Sequence, residues 1–419
     1  MPWAGAEAQD AEAPDESSIF EEVAAVVQEC AEQAAAAAEG DADYADAKMK
    51  AWLELTEEDE GVRTLDEALG VGGEPSEAPV RLVDARFLVA LAKAEGGRLV
   101  GRDALPEGAF FNVSRLQRES FGSLENSLRV LAVSMPRLSG EHPDPTGVLL
   151  RRLGRVLDSF VEDDGGSYGV LLPYCSVSPP AGDGERYERA LHGLASIYGH
   201  TAIPVLLLPA LPADVDASGA ASAAYAVLGW SLFESCVARL VKPPTMVIDV
   251  SKFEDVGGEE APFLEPLVES CRALNTPPLL PAAFAAALRA RAFVRDADRE
   301  VLAAAYEAFF NAAFPSLDAL LYDGNGWGDD EVRALCAVLS QTDMPKCRQL
   351  WLSKNHLTDE GMKIIEQCLR GGALPSLESV HVYGMPNASF KSRDEIRNAR
   401  EDLKVCYDGM GGGRDNHIQ

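Results

Sequence analysis

The sequence predicts an α/β protein: a doubly wound parallel sheet followed by a short C-terminal α/β solenoid. Between residues 128 and 250, four short runs that are apolar throughout alternate with amphipathic helical stretches. Such strands need helices on both faces of the sheet. Near the C-terminus, apolar positions recur every thirty residues, the mark of a stacked repeat. Across 419 residues the apolar fraction is 47%, ample for cores in two or three units.

Residues 1–75 read as an acidic, Ala-rich arm and linker, partly disordered. Ile19, Val23, Val26, Val27 and Cys30 keep helical spacing, so one amphipathic helix is expected around 18–39. The α/β domain is expected over 76–250. A helix over 80–95 carries the stripe Val83, Phe87, Leu88 and Leu91 and stops at Gly96-Gly97. Strands are expected at 128–134, 168–174, 202–208 and 245–250. Helices fall between them at 146–160, 184–198 and from Gly229 to about Leu240. Residues 251–314 form a helical connector, broken at Pro277-Pro278-Leu-Leu-Pro281.

The repeat occupies 315–392. Leu317, Cys347 and Leu377 lie thirty apart, as do Leu320, Leu350 and Val380, and then Tyr322, Leu352 and Val382. Asn325 and Asn355 hold the register, and Met385 stands at the third such position. The pattern is Leu-x-x-Leu-x-Leu-x-x-Asn followed by a helix, a leucine-rich repeat. Each Asn is expected to bond backbone between turns. Residues 393–419 read as a tail, ending in glycine-rich sequence that opens no helix and so is not a phosphate loop.

Through Leu350-Trp-Leu352-Ser-Lys-Asn355-His-Leu357-Thr-Asp-Glu-Gly361-Met, the repeats resemble the ribonuclease-inhibitor type. That resemblance implies protein binding on the strand and loop surface, at Trp351, Ser353, Lys354 and His356. Gly229-Trp230-Ser-Leu-Phe-Glu234 has the Trp-x-x-x-Glu spacing of TIR domains. Val133-Ser134 with His142-Pro-Asp144-Pro is similar to the first strand and loop of TIR-like and heterokaryon-incompatibility-like domains. Such domains have a flavodoxin-like sheet, and protist families join them to leucine-rich repeats. The resemblance implies that Glu234 assists cleavage of the nicotinamide–ribose bond of NAD. Two departures point to a degenerate site: Met135-Pro136-Arg137 follows the first strand, and Pro173 stands where an acidic residue often ends the second.

In a doubly wound sheet, ligands lie beyond the carboxyl ends of the strands. That edge gathers Ser134, Tyr174, Trp230 and Glu234. Trp230 and Glu234 share a helix face one turn apart. Glu234 is either a catalytic carboxylate or a solvated first-turn acid, and Trp230 either stacks on a ligand ring or packs a corner. Cys175-Ser176 is either a nucleophile pair or buried structure, and His142 either an acid–base or a plain loop histidine. His192 and His200 share a helix face without further ligands, so no metal site is expected.

The net charge of −30 argues against a nucleic-acid or anionic-membrane partner. About half of it lies in residues 1–60, with eighteen Asp/Glu against two Lys. No apolar run is long enough to span a bilayer, and the N-terminus lacks the pattern of a secretory signal. The eight cysteines form no Cys-x-x-Cys pair. The expectation is a cytoplasmic interaction and signalling scaffold that binds partner proteins and has no cofactor. The alternative is an NAD-cleaving enzyme using Glu234, with NAD as substrate.

Overall fold

The computed structural model describes residues 65, 67–113, 127–179, 184–211, 220–254 and 260–407. The acidic arm with its expected helix at 18–39, and the glycine-rich end of the tail, lie outside the described residues.

The α/β unit opens with β1 (Val83–Asp84) and α1 (Ala85–Lys93). Val83 lies in the strand and not in the helix stripe, because Asp84 caps α1 by accepting the Arg86 N–H at 2.8 Å. α1 ends at Lys93, short of the expected stop at Gly96-Gly97, and the chain then folds back so that a Cβ on Gly97 would lie 1.9 Å from the Leu91 carbonyl oxygen. The chain continues through β2 (Val130–Ser134), α2 (Val148–Asp164), β3 (Gly169–Leu171), α3 (Gly184–Gly199), β4 (Val205–Leu207), α4 (Ala220–Val227), α5 (Gly229–Val241) and β5 (Val247–Asp249). The sheet order is β1-β3-β2-β4-β5. β2 to β5 are parallel, as expected, but β1 pairs antiparallel with β3. The expected all-parallel sheet is therefore mixed, since a two-residue edge strand leaves no periodic signal.

Both faces are covered. Val130, Ala132, Val205 and Leu207 meet the side bearing Leu194, Tyr198 and Phe233. Leu131, Val133, Leu206 and Ile248 meet Leu88, Leu153 and Leu157 of α1 and α2. This is the two-residue alternation of strands buried on both sides. At the α1–α2 crossing, a Cβ on Gly154 would lie 2.3 Å from that of Ala92.

α6 (Leu264–Ser270), α7 (Pro281–Arg289) and α8 (Asp298–Ala313) form the connector. Phe233, Phe284, Tyr306, Phe310 and Phe314 run as successive ring contacts from α5 into the repeats, with Phe284 stacked on Tyr306 at 3.9 Å. One hydrophobic cluster therefore extends from Val130 to Val405.

The C-terminal sheet is parallel, in the order β6 (Ala319–Leu321), β7 (Gln349–Trp351), β8 (Ser379–His381) and β9 (Lys404–Cys406). α9 (Asp329–Leu339), α10 (Asp359–Arg370) and the short α11 (Phe390–Glu395) follow the first three strands. Leu320, Leu350, Val380 and Val405 are in register. β9 falls within the stretch expected as tail, because Val405 follows Val380 by twenty-five residues and not thirty. Asn355 donates to the carbonyls of Tyr322 and Leu352 at 2.8 Å and accepts from the N–H groups of Asn325 and Trp327 at 3.0 Å. Asn325 in turn accepts from Asn275 at 2.9 Å, which ties the connector to the first turn.

Candidate functional site

β2 lies between β3 and β4, and a crevice opens beyond the carboxyl ends of β2 and β3, where Val133, Met135 and Leu172 line it. A cavity of about 560 Å³ occupies this edge. Its wall is mainly apolar and includes Tyr174, Trp230, Glu234, Phe293, Arg295 and Asp298. This is the size and lining of a small-molecule site.

Three of the four expected ligand-edge residues, Tyr174, Trp230 and Glu234, share this one wall. Ser134 stands behind it, fully buried at the end of β2. Pro173 starts a four-residue helical turn that carries Tyr174 to the cavity, its fixed φ suiting a first helical position. Tyr174 packs edge-on against His142 at 5.2 Å.

Glu234 is not a solvated first-turn acid. It is the sixth residue of α5 and is 4% exposed. Burial pushes its carboxyl up to about 8, against hydrogen bonds from Ser134 and Tyr198 that pull it down. The Tyr198 hydroxyl also lies 2.7 Å from the Val133 carbonyl, to which it donates. Ser134 also shares a 2.9 Å hydrogen bond with Tyr225 of α4, whose hydroxyl burial holds well above the ordinary range.

Trp230 is half-buried. Its indole N–H donates to Asp298 at 3.3 Å, as does the Tyr187 hydroxyl at 3.2 Å. Arg295 lies 4.0 Å from the same carboxylate and 4.8 Å above the Tyr187 ring. Arg102 lines the cavity but is a structural clamp, donating to the carbonyls of Ala78 and Pro79 at 2.7 and 2.6 Å. Arg137 donates to the carbonyls of Gly140 and Glu141.

Cys175 is buried structure. Burial pushes its thiol up to about 12, and Ser176 is engaged with the backbone of Leu172 and Val170. His142 is held between the Leu99 carbonyl and the Asp144 N–H. No group of three or more metal-ligating side chains occurs among the described residues.

On the repeat sheet, Trp351 stacks on His381 with ring centres 3.6 Å apart. Lys354 and His356 are exposed. Ser353 is fully buried and its hydroxyl accepts the Tyr383 N–H, so it offers no surface to a partner.

Sequence reasoning misses Tyr198, Tyr225, Phe293, Ser231 and Asp298 as site residues. No local signal links residues so far apart in the chain. Ser231 sits inside the Trp-x-x-x-Glu element and is within reach of that motif. No family model matches the sequence, and no curated protein matches it. No described helix is long and apolar enough to cross a membrane.

Proposed function

We propose that this chain is an interaction protein. Its α/β unit takes up a small ring-bearing ligand of the nucleotide class, and its repeat sheet meets a partner protein. The observation that carries the first half is the single cavity wall shared by Tyr174, Trp230 and Glu234 beyond the carboxyl ends of β2 and β3. Aromatic rings supply stacking area, and the few polar groups supply orientation. The half-buried Trp351, held by its stack on His381, supports the second half, since aromatic residues are enriched at interfaces.

The second reading is cleavage of the nicotinamide–ribose bond of NAD by Glu234. It is favoured by the position of Glu234 on the cavity wall. The protonation state weighs against it. A carboxyl with a pKa of about 8 is mostly neutral at pH 7. A neutral acid donates a hydrogen bond but lacks the charge that stabilises an oxocarbenium-like transition state.

Titration calorimetry of the full chain with NAD, ADP-ribose and ATP, beside an assay of nicotinamide release, separates the two readings. Saturable binding without turnover is expected. Turnover abolished in Glu234→Gln would establish the enzyme instead, and absence of any binding would remove the pocket reading.

A further inference from the structure

The first turn of α5 opens into the cavity without a cap. Leu228, which precedes it, supplies no capping side chain. The Gly229 N–H is taken by the Ala292 carbonyl at 3.0 Å. The N–H groups of Trp230 and Ser231 have no acceptor among the described residues. Both residues line the cavity.

The Ser231 side chain is the independent observation. The residue is 2% exposed, lines the cavity, and its hydroxyl has no hydrogen-bond partner among the described residues. Buried hydroxyls in folded proteins are normally paired, so one left open toward a cavity is free to bond whatever occupies it. The backbone N–H groups beside it are donors, and the positive end of the thirteen-residue α5 adds to them.

Charge at this end suits an anion. The segment carrying Arg295 is held beside the start of α5 by the Leu228–Ala292 bridge, and Arg295 lines the same cavity. Of the three carboxyls lining the cavity, Asp298 is already engaged by Trp230, Tyr187 and Arg295, and Asp103 accepts from the Ser178 hydroxyl at 2.8 Å. Glu234, one turn along α5, is kept protonated by burial and so does not repel an anion. Two amides, one hydroxyl and a guanidinium match the several acceptor oxygens of a phosphate. The volume left in the cavity suits a nucleoside-sized body beside it.

We infer that the uncapped first turn of α5, with the Ser231 hydroxyl and the Arg295 guanidinium, receives the phosphate of a ligand whose ring lies against Trp230. This rests on the reading of the cavity as a nucleotide-class site and adds where the anionic group sits and what holds it. Ser231 and Arg295 are then the residues that distinguish a nucleotide from its nucleoside.

The test is titration calorimetry of the full chain with the four ribonucleoside monophosphates and their nucleosides, for wild type, Ser231→Ala and Arg295→Gln. Urea midpoints of each variant establish that it is folded. The expected result is that wild type binds at least one monophosphate about tenfold or more tighter than its nucleoside. Each substitution should remove most of that preference and leave the nucleoside affinity within about twofold. Equal wild-type affinity for nucleotide and nucleoside would overturn the phosphate site and leave the cavity reading standing. So would a preference that both variants retain. Binding of orotate as tightly as UMP would make the anion a carboxylate and overturn the phosphate assignment. No binding of any compound by folded wild type would overturn both.

Discussion

The indole N–H of Trp230 donates to the Asp298 carboxylate over 3.3 Å, which joins the cavity wall on α5 to the first turn of the connector helix α8. The two residues are sixty-eight apart in sequence and meet only through the fold. Asp298 also accepts from Tyr187 of α3, so one buried carboxylate holds three helices.

Removing that acceptor should be felt in stability. Asp298→Ala leaves the Trp230 and Tyr187 donors without their partner, and is expected to cost about 2–4 kcal/mol at roughly 1–2 kcal/mol per stranded group. Asp298→Asn keeps an acceptor oxygen and should recover most of the loss. Urea unfolding of the two variants checks this; equal midpoints for both would mean that the carbonyl acceptor is not what matters.

Glu234 should make stability depend on pH. Its folded pKa of about 8 lies above the ordinary glutamate value of 4.5. Below the unfolded value both states are protonated and the contribution is fully present. As pH rises toward 8 the unfolded chain gives up its proton and the folded one does not, so stability falls across that window and levels off above it. Glu234→Gln removes the titration while keeping a neutral hydrogen-bonding group. The variant should exceed wild type by a few kcal/mol at pH 8.5, since each tenfold difference in proton affinity between the two states is worth about 1.4 kcal/mol, and should lose that advantage near pH 5. Parallel pH profiles for the two proteins would place the titrating group elsewhere.

Asn355 makes four hydrogen bonds inside the repeat stack. Asn355→Ala strands two N–H groups and two carbonyls, and is expected to destabilise the chain by about 3–5 kcal/mol. A denaturant midpoint within error of wild type would mean that water replaces the side chain. Met385, at the equivalent position in the third copy, is buried and apolar, so Met385→Ala should act through lost packing, at about 2–4 kcal/mol.

Gly154 stands at the crossing of α1 and α2. A methyl group there would meet the Ala92 Cβ at 2.3 Å, with the Leu88 carbonyl oxygen 3.9 Å away. Gly154→Ala gains helix propensity but must push the helices apart, and the net expectation is a loss of about 1–3 kcal/mol. Gly154→Ala combined with Ala92→Gly should restore stability. A single variant as stable as wild type would show that the crossing yields at no cost.

Short-range periodicity carries much of this architecture. The four parallel strands, three of the four helices between them, the start of α5 at Gly229 and the thirty-residue register of Leu320, Leu350 and Val380 follow from spacing within a few turns of chain, whereas α4 lies in a stretch expected as loop. Burial on one face or both leaves that spacing in the residues themselves. The remaining features come from long-range packing. The antiparallel edge strand β1 is two residues long and has no period, and β9 breaks the thirty-residue register. Glu234 becomes a neutral acid only because the fold buries it, against hydrogen bonds from Ser134 of β2 and Tyr198 of α3. Ser231 shares a cavity with Arg295 and Asp298 only because the segment bearing them is bridged to the residue before α5. Those pairings depend on which groups the fold removes from water, and a local pattern of side chains does not encode that.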